Sequence, residues 1–173
     1  MQKRSGLGAP EWLILIGACI FIVVLAVSAA FEKDIRWLHF FQAWMYVATI
    51  LLGLRRNRWG YFIGISAAGL WDYANVFVTT FLASGLEQLS AWMRTGHLAR
   101  PDLLIAVPAW LSNLMVVVGC LWAYARLPEK RLGDVGKFGL AFVLTSGFFA
   151  ADMAIFQPRY LPIFPKLLHP RWP

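Results

Sequence analysis

Two aspartates, Asp72 and Asp152, stand inside long apolar runs, where an ionised carboxylate costs at least ~2.5–3.5 kcal/mol on membrane-insertion scales. Such a group is retained to lock helices through hydrogen bonds, to hold a ligand, cation or proton, or to act as a general acid or base. Counted at ~1.5 Å per residue from one end of their runs, both lie ~20 Å deep. His39 falls near the opposite end of a run, Gln42 one turn further in on the face of Tyr46, and Asn113 near the middle of another run. With Asn75, these residues form a candidate polar cluster for a small ligand or ion: His39, Gln42, Asp72, Asn75, Asn113 and Asp152. If the two carboxyls faced each other, like-charge repulsion would leave one protonated at neutral pH.

Other chemistries find little footing. There is no His-x3-His or Cys-x2-Cys spacing for zinc, no glycine-rich phosphate loop for a nucleotide, and no pair of intramembrane histidines for a b-type haem. His97 and His169 lie in a loop and in the tail. No metal site is expected, no cofactor is indicated, and the catalytic residues, if any, are unknown. Cys19 and Cys120 sit at different depths in apolar runs and read as free core thiols.

The elements that must position these residues are hydrophobic helices. With 60% hydrophobic and only 14% charged residues among 173, the chain leaves no room for a sizeable soluble domain, and one integral-membrane domain over 1–173 is expected. Runs near the ~20 residues that a crossing helix needs cover 12–31, 37–54, 59–82, 103–125 and 138–156. Several open on tryptophan, as interfacial anchors do. The fold class is therefore all-α, a polytopic transmembrane bundle of about five spans.

Charge orders the ends. Lys3, Arg4, Arg55, Arg56, Arg58, Arg126, Lys130, Arg131 and Lys137 fall in alternate connections, against Lys33, Arg36, Arg94 and Arg100 in the others. The excess places the N-terminus in the cytoplasm of a bacterial-type inner or plasma membrane. Five spans then leave the C-terminus outside, although Arg159, Lys166 and Arg171 run against that rule. The net charge of +7 reports topology, not nucleic-acid binding. Lys3 and Arg4 ahead of an apolar run ending in Ala-Val-Ser-Ala-Ala resemble a signal peptide, but the run is long enough to serve as an anchor.

In the third run Gly60, Gly64, Ala68 and Asp72 recur every four residues, a small-residue seam for close helix packing that ends on a carboxyl. Asn75 and Thr79 extend the stripe. Pro108 should break the fourth run and free the carbonyl of Leu104. Glu11 should interact with the N-terminus of the first helix. From Gly85, Leu86, Leu89, Trp92 and Met93 form an apolar stripe, read as a short extracytoplasmic interfacial helix. The tail, 157–173, has five prolines and is expected to be extended against the interface or a partner.

Three roles stay open from sequence. The first is a non-enzymatic accessory subunit or carrier, with a small-ligand, ion or proton site at Asp72 and Asp152. The second is a membrane enzyme acting on a lipid-like substrate through Asp72, Asp152 and His39. The third is a scaffold that engages other membrane subunits through the outer helix and tail.

Overall fold

The computed structural model describes residues 6–167, so Lys3, Arg4, His169, Arg171 and the tail beyond Leu167 lie outside the described residues. Among the described residues the chain is helical and has no strand. The elements are α1 (Ala9–Phe31), α2 (Arg36–Leu54), α3 (Arg58–Tyr73), α4 (Phe81–Thr95), α5 (Pro101–Leu104), α6 (Ala106–Ala125), α7 (Gly133–Phe156) and α8 (Ile163–Leu167). Four stretches are long and apolar enough to cross a membrane: Ala9–Phe31, Lys33–Leu54, Pro101–Ala125 and Gly133–Phe156. Large apolar side chains face outward on each of them, among them Val23, Leu51, Leu121 and Val143. In water such an outer surface would be an aggregation liability, whereas lipid covers it without cost.

The third run departs from the expected continuous helix over 59–82. α3 stops at Tyr73, a π-helical turn follows over Ala74–Val78, and α4 starts at Phe81. The wide turn is closed by Thr79 N–H donating to the Ala74 carbonyl at 2.8 Å. Thr79 then turns extended, so Leu82 belongs to the amphipathic helix and not to the run before it. That helix is longer than the stripe from Gly85 indicated, and it ends at Gly96, whose φ of 69° is the left-handed conformation glycine adopts without strain. α4 buries Leu82 and Gly85 while Leu86, Trp92 and Met93 stay exposed.

Close approach of backbones sets the packing. A Cβ on Gly60 would lie 2.5 Å from the Gly53 nitrogen of α2, and one on Gly64 would lie 2.7 Å from Cys120 Sγ of α6 and from Thr49 Cγ2 of α2. α3 packs against α2, α6 and α7. The most extensive helix pair is instead α1 with α6, where Gly17 rests against the Ser112 carbonyl and Gly119 against Ile14. Between α5 and α6 the helix is interrupted at Ile105, where the ring of Pro108 removes the expected hydrogen bond. The core between the helices is rich in alanine, which lets helices approach and gain dispersion contact where lipid supplies no hydrophobic drive.

The tail is not extended over its described part. Pro158–Tyr160 forms a 3-10 turn and α8 follows, folding back onto the π turn. Three polar ties hold it: Gln157 Nε2 donates to the Asp34 carbonyl, Arg159 pairs with Glu32, and the Tyr73 hydroxyl donates to the Leu167 carbonyl. Proline ends a long helix but permits these short turns, and Phe164 packs against the core.

Candidate functional site

The end of the bundle where α1 finishes and α2 begins is hollow. A cavity of about 790 Å³ runs from Glu32, Arg100 and Asp102 at its rim inward to His39, Asn75 and Thr79. It shares His39, Trp71, Asn75, Thr79, Tyr160 and Ile163 with an inner chamber of about 180 Å³ that reaches Gln42 and Ser146. Phe164 and Leu167 of α8 contribute to the chamber wall, so the folded-back tail covers it.

The π turn builds the polar side of this space. Asn75 Nδ2 donates to the Trp71 carbonyl at 2.8 Å, and Thr79 Oγ1 donates to Asn75 Oδ1 at 3.2 Å. Such wide turns expose backbone and side-chain polar groups that a regular helix would bury, and they recur at binding sites. On the facing helix, His39 Nδ1 lies 3.1 Å from the Leu25 carbonyl. A carbonyl only accepts, so Nδ1 carries a proton and Nε2 is the ring atom left to face other partners. The Ser146 hydroxyl is buried and has no hydrogen-bond partner. The charges at the rim are engaged with each other, Arg100 with Asp102 and Glu32 with Arg159.

The six residues expected as one cluster divide into three groups. His39, Gln42 and Asn75 line the chamber. Asp72 and Asn113 belong to a separate, buried lock between α2, α3 and α6: the Tyr46 hydroxyl donates to Asn113 Oδ1 at 2.7 Å, and the Asp72 carboxyl lies beside both. Asp72 Oδ1 and Asn113 Nδ2 nevertheless lack well-formed hydrogen bonds. Asp152 stands alone on α7, 4% exposed, with no charged neighbour and no donor to either oxygen. Neither aspartate lines the cavity or the chamber, and no hydrogen bond or ion pair joins them. The turn from α-helix to π-helix accounts for part of this: the stripe through Gly64, Ala68 and Asp72 faces α6, whereas Asn75 and Thr79 are carried to the cavity wall.

Two polar residues, Ser146 and Asp134, are absent from the cluster the sequence indicates, and the tail, expected along the interface or a partner, instead walls the chamber. Ser146 gave no signal beyond a hydroxyl in an apolar run. Asp134 did give one, a lone acid among Arg131 and Lys137 at the start of α7. It is 2% exposed, accepts from the Tyr124 hydroxyl and the Arg131 N–H, and pairs with Arg58 and Lys137. The same end holds Glu11, which accepts from Gly8 N–H and pairs with Arg56. Among the described residues, no three His, Cys, Asp or Glu side chains come together as metal ligands. Cys120 is buried and Cys19 exposed, and both are free.

Compared with protein family models, curated proteins and solved structures, the chain shows no significant similarity to any of them. Its functional reading therefore rests on the helical architecture and on this cavity.

Proposed function

We propose that the chain is a five-span membrane protein that binds a small, uncharged polar group in the chamber between His39, Gln42, Asn75 and Thr79, as a non-enzymatic carrier or accessory subunit. α3 and the π turn together are long enough for the fifth crossing. They run from the base-rich end at Arg58 to the cavity end at Val78. The excess of bases around Arg56, Arg58 and Arg131 makes that end cytoplasmic, which puts the chamber in the outer half of the bilayer, the C-terminus outside and α4 on the outer surface.

The observation that carries the reading is a chamber with neutral donors and acceptors inside an apolar bundle, its nearby charges already paired. A membrane enzyme of the kind outlined from Asp72, Asp152 and His39 needs those three around one reacting centre, and only His39 reaches the cavity. A scaffold reading is weakened because the tail to Leu167 is already engaged by its own bundle.

Native mass spectrometry of the protein extracted from its own membrane tests this. The wild-type chain should retain a small molecule that Gln42→Leu and Asn75→Leu lose by tenfold or more at an unchanged helical signal. A bare wild-type chain, or equal retention in all three, would overturn the reading.

A further inference from the structure

A third hollow lies on the outer face of the same end: a groove of about 450 Å³ between α1 and α2, lined by Ile22, Ala26, Ala29 and Ala43, with Arg36 at one border. Alanines where the rest of the outer face carries Val23, Trp44 or Leu51 leave this volume open. His39 lines the groove, the rim cavity and the inner chamber alike, and Leu25, whose carbonyl it holds, lines the groove and the cavity. One imidazole on one carbonyl thus stands between a lipid-facing trough and a chamber that sets a few neutral polar side chains among apolar ones.

Resting on the chamber reading above, we infer that the ligand is a single-chain neutral amphiphile that comes in sideways from the bilayer. Its polar head passes His39 into the chamber, and its hydrocarbon chain stays in the α1–α2 groove. The order of linings matches such a molecule end to end. Apolar and small side chains line the groove, the imidazole stands at the junction, and Gln42, Asn75, Thr79 and Ser146 lie inside. Neutrality follows from the chamber's lack of an unpaired charge. Arg100 and Arg159 are paired, Arg36 stands at the border of the groove and not in the chamber, and the carboxyls of Asp72 and Asp152 lie outside the lining, so a charged head would be buried there without a counter-charge. Rotation of His39 away from Leu25 costs one backbone-directed hydrogen bond, which a hydroxyl-bearing head can replace.

The probes are two photoreactive monoacylglycerols, one with a diazirine at the chain end and one with it next to the glycerol, each presented to the full chain in phosphatidylcholine vesicles. The chain-end probe should label peptides of the groove around Ala26 and Ala43. The head-proximal probe should label those around Gln42 and Ser146. Ala29→Phe, which fills the trough, should reduce both at least tenfold, and Ala26→Leu, an exposed site tolerant of a larger side chain, should reduce both by a smaller factor. Unchanged chamber labelling in both filled variants would overturn the sideways route while leaving the chamber reading intact. Absence of chamber labelling in the wild type, with the chain-end probe spread evenly over all outer faces, would overturn both.

Discussion

The two ends of the bundle treat their polar residues in opposite ways. At the Arg58 end, Asp134 gathers Tyr124, Arg131, Arg58 and Lys137, and Glu11 is held by Gly8 and Arg56. These contacts cross-link the starts of α1, α3 and α7 and the end of α6, so that end is a clamp. At the other end, helices splay around 790 Å³ of space, a helix widens into a π turn, and a hydroxyl at Ser146 goes unpartnered. Dense pairing fixes the helices where position matters for topology. The unpartnered Ser146 hydroxyl borders the chamber, whereas the atoms of Asp72, Asn113, Asp134 and Asp152 that lack a hydrogen bond do not. Between the ends, Tyr46, Asn113 and Asp72 mark the last layer of the tightly packed part.

This contrast makes graded predictions. The largest loss should come from the packed seam. Gly60→Val places side-chain atoms against the α2 backbone and should destabilise by about 3 kcal/mol in a reversible denaturation series. Asp134→Ala comes next, since it removes the counter-charge of Arg58 and the acceptor of Tyr124 and Arg131, and Asp134→Asn should lose less because it keeps an oxygen for Tyr124 and Arg131. Both read out as melting temperature, and neither should alter ligand retention; reduced retention by a folded Asp134 variant would blur the division between the ends. Tyr46→Phe leaves Asn113 Oδ1 without its donor and should cost about 1–2 kcal/mol.

At the open end the sign of the trade reverses. Asn75→Leu forfeits its bonds to Trp71 and Thr79, a loss of about 1 kcal/mol, yet should have the greater effect on binding. The smallest effect belongs to the exposed loop at the clamp end. There the hydrogen bond and charge of Arg131 hold the Glu129 carboxyl below its ordinary range. A lowered folded-state value stabilises above the ordinary glutamate value and is lost as pH falls through the lowered one, so Glu129→Gln should flatten only the acid limb of a melting-temperature profile.

Much of the architecture was legible because membrane helices carry a strong one-dimensional signal. The apolar runs survive as α1, α2, α6 and α7, and tryptophan stands near the start of α1, α2 and α3. The glycine seam was legible too, since a four-residue spacing keeps Gly60 and Gly64 on one face of a regular helix. The site was legible only as residue types. His39, Gln42 and Asn75 do meet, but Asp72 and Asp152 do not join them, because the π turn redirects Asn75 and not Asp72, and because each helix's neighbours decide which face meets the cavity.

What the amino-acid sequence determined by itself is therefore what hydropathy and local geometry decide residue by residue. That covers helical elements suited to lipid, close packing at glycine, the interruption before Pro108 and an amphipathic helix after the third run. The tertiary structure alone decided that α1 pairs most closely with α6, that Asp134 becomes a buried hub, that the tail as far as Leu167 folds back over a chamber, and that His39 sits where groove and chamber meet. Each of those depends on contacts between residues far apart in the chain, whose free energy no local pattern encodes.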